Sequence, residues 1–216
     1  MAQPISWRAW LGLGLFVLLS YFQYPGHIYL ESDTQIYVPM LERSRHPALY
    51  ERDPMVVRSH TAFTVYDELA LGLARLTRLD LEAVFGILQV AARLSLLAGI
   101  FLITRAMGLS ELLAVACAGI YALGGRVLGP SVLLVEYEPV PRALALGPAV
   151  LGIGLAAHGR YLAAGAAGAA AFLLHATTAA PFWMVYAALL FVPDEPEEMK
   201  ARLWGLAPLA AAVLAM

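Results

Sequence analysis

The chain has 216 residues, 61% of them hydrophobic and 14% charged, with 14 Lys and Arg against 16 Asp and Glu. An ordinary soluble domain carries about 45 to 50% apolar and about 25% charged residues, so this composition, with a mean hydropathy of +0.71, points to an integral membrane protein. A net charge of -2 with scattered basic residues leaves no electrostatic footprint for nucleic acid, and one cysteine, Cys117 in an apolar run, excludes an intrachain disulfide and a cysteine metal cluster.

Arg8 precedes an apolar run from Ala9 to Ser20, and Tyr21-Phe22-Gln23-Tyr24-Pro25 follows. An aromatic belt without a small-x-small cleavage site predicts an uncleaved first transmembrane helix over 8–24 rather than a signal peptide. The polar region 25–80 comes next. Within it, Ser32 and Gln35 have the spacing of a capping box, which predicts a short helix from Asp33 to Glu42. Asp33 then falls in the first turn, where the helix dipole favours a carboxylate. Pro39 is expected to kink or shorten that helix, and His46-Pro47 and Asp53-Pro54 to reverse the chain. Between Ala62 and Leu79, residues Tyr66, Leu69, Leu73 and Leu76 share a helical face while Asp67, Glu68, Arg75 and Arg78 lie largely elsewhere. That pattern predicts an amphipathic helix lying at a membrane interface.

Further spans are expected over 82–105, 110–123, 142–157, 161–174 and 178–192, and the apolar run 203–216 reads as the incomplete start of a seventh. Ser110 is the candidate cap of the third. Gly124-Gly125-Arg126 and Gly129-Pro130 interrupt the chain over 124–141, and Ser131 to Val135 is too short to cross, so a re-entrant or interfacial piece is expected there. Gly147, Gly152, Gly154, Gly165 and Gly168 predict close helix packing. The fold class expected is therefore all-α, a polytopic transmembrane helix bundle whose long extracytoplasmic first loop carries short interfacial helices.

With a cytoplasmic N-terminus, Arg105, His158-Gly159-Arg160 and Lys200-Ala201-Arg202 all fall in cytoplasmic turns, as the positive-inside rule prefers. The first loop, Arg126, the segment Glu136 to Arg142, and His175 then share the outer face. Asp33 and Asp53 are the candidate acids of the first loop, since a carboxylate near a low-dielectric surface can serve as a general base. A helix cap and a pre-proline turn are their structural alternatives. Arg142 opens a helix and, with the free backbone amides there, suits a phosphate. Glu136, Glu138 and His175 are further candidates. Arg93 sits mid-span, where an arginine costs about 2.5 to 3.5 kcal/mol on insertion scales, and is expected to face an acidic partner or a cavity.

One span, a long outer loop with acids just after it, then short spans joined by small turns resembles the N-terminal half of the GT-C class of membrane glycosyltransferases. Asp33-x-x-Ile36-Tyr37-x-Pro39, Pro47-x-Leu49-Tyr50-x-x-Asp53, Arg142 opening a span and His175-x-Thr-Thr ending another are similar to bacterial members of that superfamily. The resemblance implies a multi-pass inner-membrane protein that passes a sugar, with inversion, from a polyprenyl-phosphate donor to an outer acceptor: a glycan, lipid or protein. It places the base at Asp33, and secondarily at Asp53. Tyr37 and His175 would line the site, Arg142 with Arg126 would stabilise the leaving phosphate, and Glu136 or Glu138 would orient the acceptor or hold a divalent cation, Mg or Mn. Many members carry adjacent acids after the first helix, whereas here Ser32 separates Glu31 from Asp33. Two alternatives stand beside it. Arg93 and the broken helices suit a transporter or lipid flippase, and the glycine-rich faces suit a non-catalytic scaffold or assembly subunit.

Overall fold

The computed structural model describes residues 5–23, 26–58, 61–127, 132–192 and 195–215. Apart from one two-residue ladder, its regular elements are helices: α1 Trp7–Leu19, α2 Thr34–Arg45, α3 Pro54–Val57, α4 Tyr66–Thr77, α5 Leu81–Ala106, α6 Glu111–Ala122, α7 Pro141–Ala156, α8 Tyr161–Leu174, α9 Ala176–Leu189, α10 Pro196–Trp204 and α11 Ala207–Ala215. Several start where side chains satisfy free backbone amides. Ser6 Oγ accepts from the Ala9 N–H, Asp80 from Ala83, and Ser110 from Leu113.

Helix α5 is 26 residues long with a mean hydropathy of 2.0 over its most apolar window, and among the described residues it is the one helix long and apolar enough to cross a membrane. Helices α1, α6, α7 and α8 are apolar but shorter. α5 packs against α7, α6 and α1, and α7 in turn carries α8 and α9. The α5–α7 crossing is close because Gly99 and Gly147 face the partner backbone. A Cβ at Gly99 would lie 2.6 Å from the Leu151 nitrogen, and one at Gly147 would strike the Ala92 carbonyl oxygen. Apolar side chains gather in two cores along α5. One joins α2, α4, the start of α5, α7, α8 and α9, and the other joins α1, the second half of α5 and α6.

The alternation of helices gives the bundle two distinct ends. At one, Ser6 Oγ donates to Glu111 at 2.5 Å, His158 Nε2 meets the Leu102 carbonyl at 2.9 Å, and Arg202 donates to the Leu189 and Val192 carbonyls at 2.8 and 3.0 Å. Arg105, His158 and Arg202 therefore share that end. The opposite end gathers the end of α1, the starts of α5, α7 and α9, and the loops between them.

Several local expectations change. α2 runs through Pro39 to Arg45, since Val38, Met40 and Leu41 are buried and their packing outweighs the proline defect. The buried stripe of α4 is Tyr66, Ala70 and Ala74, one turn apart, and Leu76 is 81% exposed rather than part of it. Where a re-entrant piece was expected, Arg126–Val127 pairs antiparallel with Val132–Leu133. Gly129, Pro130 and Ser131 lie outside the described residues, as do Tyr24, Pro25 and Met216. The apolar run 203–216 holds the last two residues of α10 and the whole of α11, parted at Gly205 and Leu206.

Candidate functional site

The start of α2 is built differently from the expected capping box. Thr34, not Ser32, makes the local bonds: its Oγ1 accepts from the Glu31 N–H at 3.1 Å and donates to the Glu31 carbonyl at 2.5 Å. Gln35 Nε2 reaches the Leu30 carbonyl at 3.3 Å. Leu30 and Ser32 both hold left-handed backbone, φ 58 and 48. Asp33 therefore stands at the N-cap position rather than in the first turn, and its carboxylate makes no bond to its own helix.

That carboxylate faces Arg142 instead. Arg142 Nη1 lies 2.5 Å from Asp33 Oδ2, across 109 residues of sequence, and Arg142 Nε lies 3.1 Å from Glu136 Oε1. Asp33 and Arg142 are 42% and 41% exposed in their side chains, while Glu136 is 8% exposed. Arg142 sits in the first turn of α7, where Pro141 occupies the opening position and needs no amide partner. Its guanidinium is thus held by one buried and one accessible carboxylate.

Glu138 lies beneath this pair, 2% exposed. Its Oε2 accepts the Thr34 backbone N–H at 3.2 Å, and the Ser32 hydroxyl also bonds to it. Burial raises the Glu138 carboxyl above the ordinary carboxylate range, against the lowering effect of those two bonds. Tyr37 stands one turn into α2, and burial, with the Asp33 charge beside it, raises its phenol. Its ring meets Tyr66 edge-on at 5.4 Å, Tyr66 stacks on Phe85 at 5.4 Å, and the Tyr66 hydroxyl donates to the Pro139 carbonyl at 2.8 Å. This aromatic column fixes the chain three residues ahead of Arg142.

His175 caps α9. Its Nδ1 accepts from the Thr178 N–H at 3.3 Å and meets the Thr178 hydroxyl at 2.7 Å, an arrangement that suits a neutral ring with its proton on Nε2. Burial, and then the Arg142 charge, lower its pKa from the ordinary 6.5. The Val65 N–H donates to the Leu173 carbonyl at 2.9 Å, tying this corner to α4. Asp33, Tyr37, Glu136, Glu138, Arg142 and His175 thus come together at one end of the bundle.

Among the described residues, the Asp53 side chain makes no bond to any of them. It caps α3, accepting the Met55 N–H at 2.9 Å. The side chain of Arg126 lies outside what the structure describes. Arg93 meets no acid among its bonded partners, but it does line a small cavity, with Gln89, Leu96, Val135, Glu136 and Leu144. It donates to Ser20 Oγ at 2.9 Å and to the Gly26 and Glu136 carbonyls at 2.5 and 3.0 Å, with its guanidinium 3.9 Å from the centre of the Tyr21 ring. Ser20 ends α1, so Arg93 lies level with the loops although it is halfway along α5. Gln89 and Thr34 escaped the sequence reading, and Ser20 and Tyr66 entered it only as the end of an apolar run and as part of a helical face. Gln89 had a signal, a lone amide one helical turn before a buried arginine.

Among the described residues no group of three or more His, Cys, Asp or Glu is arranged to hold a metal ion. Comparison with protein-family models, curated proteins and solved structures finds no match to this chain.

Proposed function

We propose that the chain is a polytopic membrane protein that transfers a sugar from a polyprenyl-phosphate donor to an acceptor hydroxyl on the outer face. The observation that carries this reading is the direct contact of Asp33 with Arg142, a base and a phosphate-binding cation held at one end of an apolar bundle. A bilayer around the bundle is supported by the large apolar side chains turned outward, among them Leu11, Leu15, Leu112, Ile120, Leu162 and Met184. The basic turns at the other end then face the cytoplasm.

The half-exposed Asp33–Arg142 pair contributes only about 0 to 1 kcal/mol, so an arriving phosphate can take Arg142 from Asp33 at little cost. Arg142 then binds the donor phosphate, with the His175 Nε2–H as a second donor. The exchange leaves Asp33 free to accept a proton from the acceptor hydroxyl. The acceptor oxygen forms the new bond to the anomeric carbon as the bond from that carbon to the phosphate oxygen breaks, with inversion. The bonding electrons leave on the polyprenyl phosphate, whose charge Arg142 stabilises. Glu136 holds the guanidinium in place throughout.

The test is donor binding in lipid. A small panel of polyprenyl-phosphate sugars is titrated against wild type, Arg142→Ala and Asp33→Asn. Arg142→Ala should weaken binding and Asp33→Asn should spare it. Absence of binding to every donor counts against the reading.

A second reading, a scaffold without catalysis, is favoured by the charge arrangement itself, since Asp33, Glu136 and Arg142 already satisfy one another. It requires that Asp33→Asn and Arg142→Ala change only stability.

A further inference from the structure

We propose that Gln89 and Arg93 are positioning residues of the Asp33–Arg142 site, acting through the backbone carbonyl of Glu136. The two side chains lie four residues apart on α5, hence on one face, and are 2% and 4% exposed. Both converge on one acceptor: Gln89 Nε2 donates to the Glu136 carbonyl at 3.2 Å and Arg93 Nη2 at 3.0 Å. The amide oxygen of Gln89 meets His27 Nδ1 at 2.6 Å, while Arg93 also holds Gly26 and Ser20. A backbone bond from the Ile28 N–H to the Tyr137 carbonyl at 3.0 Å closes the same junction.

Two loops from opposite halves of the chain are thereby fastened to the side of one rigid helix. The consequence for the site lies in what Glu136 does with its other end. Its carboxylate is the buried partner of Arg142 Nε, at 3.1 Å. Moving the Glu136 backbone moves that carboxylate, and with it the direction of the guanidinium that faces Asp33. A buried polar pair left with one partner missing relaxes toward other partners. Arg93 is suited to this task because a planar fork can span several carbonyl acceptors at once, which an ammonium cannot do in the same geometry.

The inference rests on the reading of Arg142 as the phosphate-binding residue, and its test separates the two. Gln89→Glu keeps the acceptor that His27 uses and removes the amide donor. Arg93→Lys keeps the charge and loses the fork. In detergent micelles with isotope-labelled arginine, the Arg142 Nε–H resonance is assigned by its loss in Arg142→Lys. In both positioning variants that resonance is expected to move and to exchange faster with water, with helix content unchanged. Affinity for a polyprenyl monophosphate is expected to fall about 3- to 10-fold, the size of one lost hydrogen bond. A purely structural role would lower the melting temperature and leave the Arg142 resonance where wild type has it, and that result overturns the proposal. If wild type itself binds no polyprenyl phosphate, the substrate reading fails and the resonance alone still decides the positioning role.

Discussion

Thr34 donates its backbone N–H to the carboxylate of Glu138, 104 residues further along the chain, at 3.2 Å. The start of α2 is therefore capped from another element, and Asp33, the residue placed to cap it, is left to Arg142. Removing the acceptor should cost about 1 kcal/mol, within the range for lost caps. Glu138→Ala is expected to lower thermal stability in detergent, whereas Glu138→Gln, which keeps an oxygen for Thr34, should not. The pH dependence follows from the raised carboxyl. Between the ordinary carboxylate value and the raised one, the folded protein keeps a proton that the unfolded chain gives up, so stability falls as pH rises through that window. Glu138→Gln should flatten that slope, and melting curves across acidic pH check it.

Asp33→Asn should cut sugar transfer about 10²- to 10⁴-fold, the usual contribution of a general base, while the protein still inserts and melts as wild type does. Donor affinity should hold or rise, because the carboxylate that competes with phosphate for Arg142 is gone. A transfer assay beside a binding titration reads both, and transfer retained at the wild-type rate would sink the base assignment.

Asp53 serves as the internal control. Its carboxylate caps a four-residue helix by one bond to Met55. Asp53→Asn should leave transfer and donor binding at wild-type levels, and a large loss in either would bring that residue back into the site.

His175 should titrate below 6.5, since burial and then Arg142 disfavour its charged form. Here the unfolded chain is the better proton acceptor, so stability is lost as pH falls below about 6.5 and is present above it. Protonating Nδ1 would also remove the acceptor that caps α9. His175→Asn keeps an acceptor and should lose the pH dependence, and His175→Ala should cost about 1 kcal/mol above about pH 6.5, a cost that shrinks as acid protonates the wild-type ring. An imidazole NMR titration should show the Nε2–H tautomer.

Gly147 faces the Ala92 carbonyl across the α5–α7 crossing with no space for a Cβ. Gly147→Val should destabilise by about 1 to 3 kcal/mol through overpacking, with thermal melting in detergent as the readout. Gly72, with nothing within 4 Å of an added Cβ, should accept alanine without loss.

The helices were legible because their causes are local. Apolar runs, Ser110 and the glycine-rich faces all act within a few residues of where they stand, and α8 occupies the expected 161–174. Asp33, Glu136, Glu138 and Arg142 were legible as candidates, as acids and an arginine beside helix starts and breaks. Their pairing was not, because Asp33 and Arg142 meet only through tertiary structure. Ser32 misled for a physical reason: the capping box assumes ordinary backbone at the cap, and Ser32 is left-handed, so the hydroxyl of Thr34 takes the local bonds. The partners of Arg93 were not legible, because they are a hydroxyl and backbone carbonyls that the end of α1, the chain after it and Glu136 bring to α5.

Leu30 and Ser32 hold left-handed backbone immediately ahead of Asp33, a conformation that costs a side-chain-bearing residue roughly 1 to 2 kcal/mol. Glycine in place of Leu30 would relieve that cost and loosen the turn that leads into Asp33, whereas glycine in place of Ser32 would also lose the hydroxyl bond to Glu138. The Leu30→Gly protein would melt higher yet aim Asp33 less sharply, so a screen that selects on thermostability alone would select against the alignment of Asp33 with Arg142.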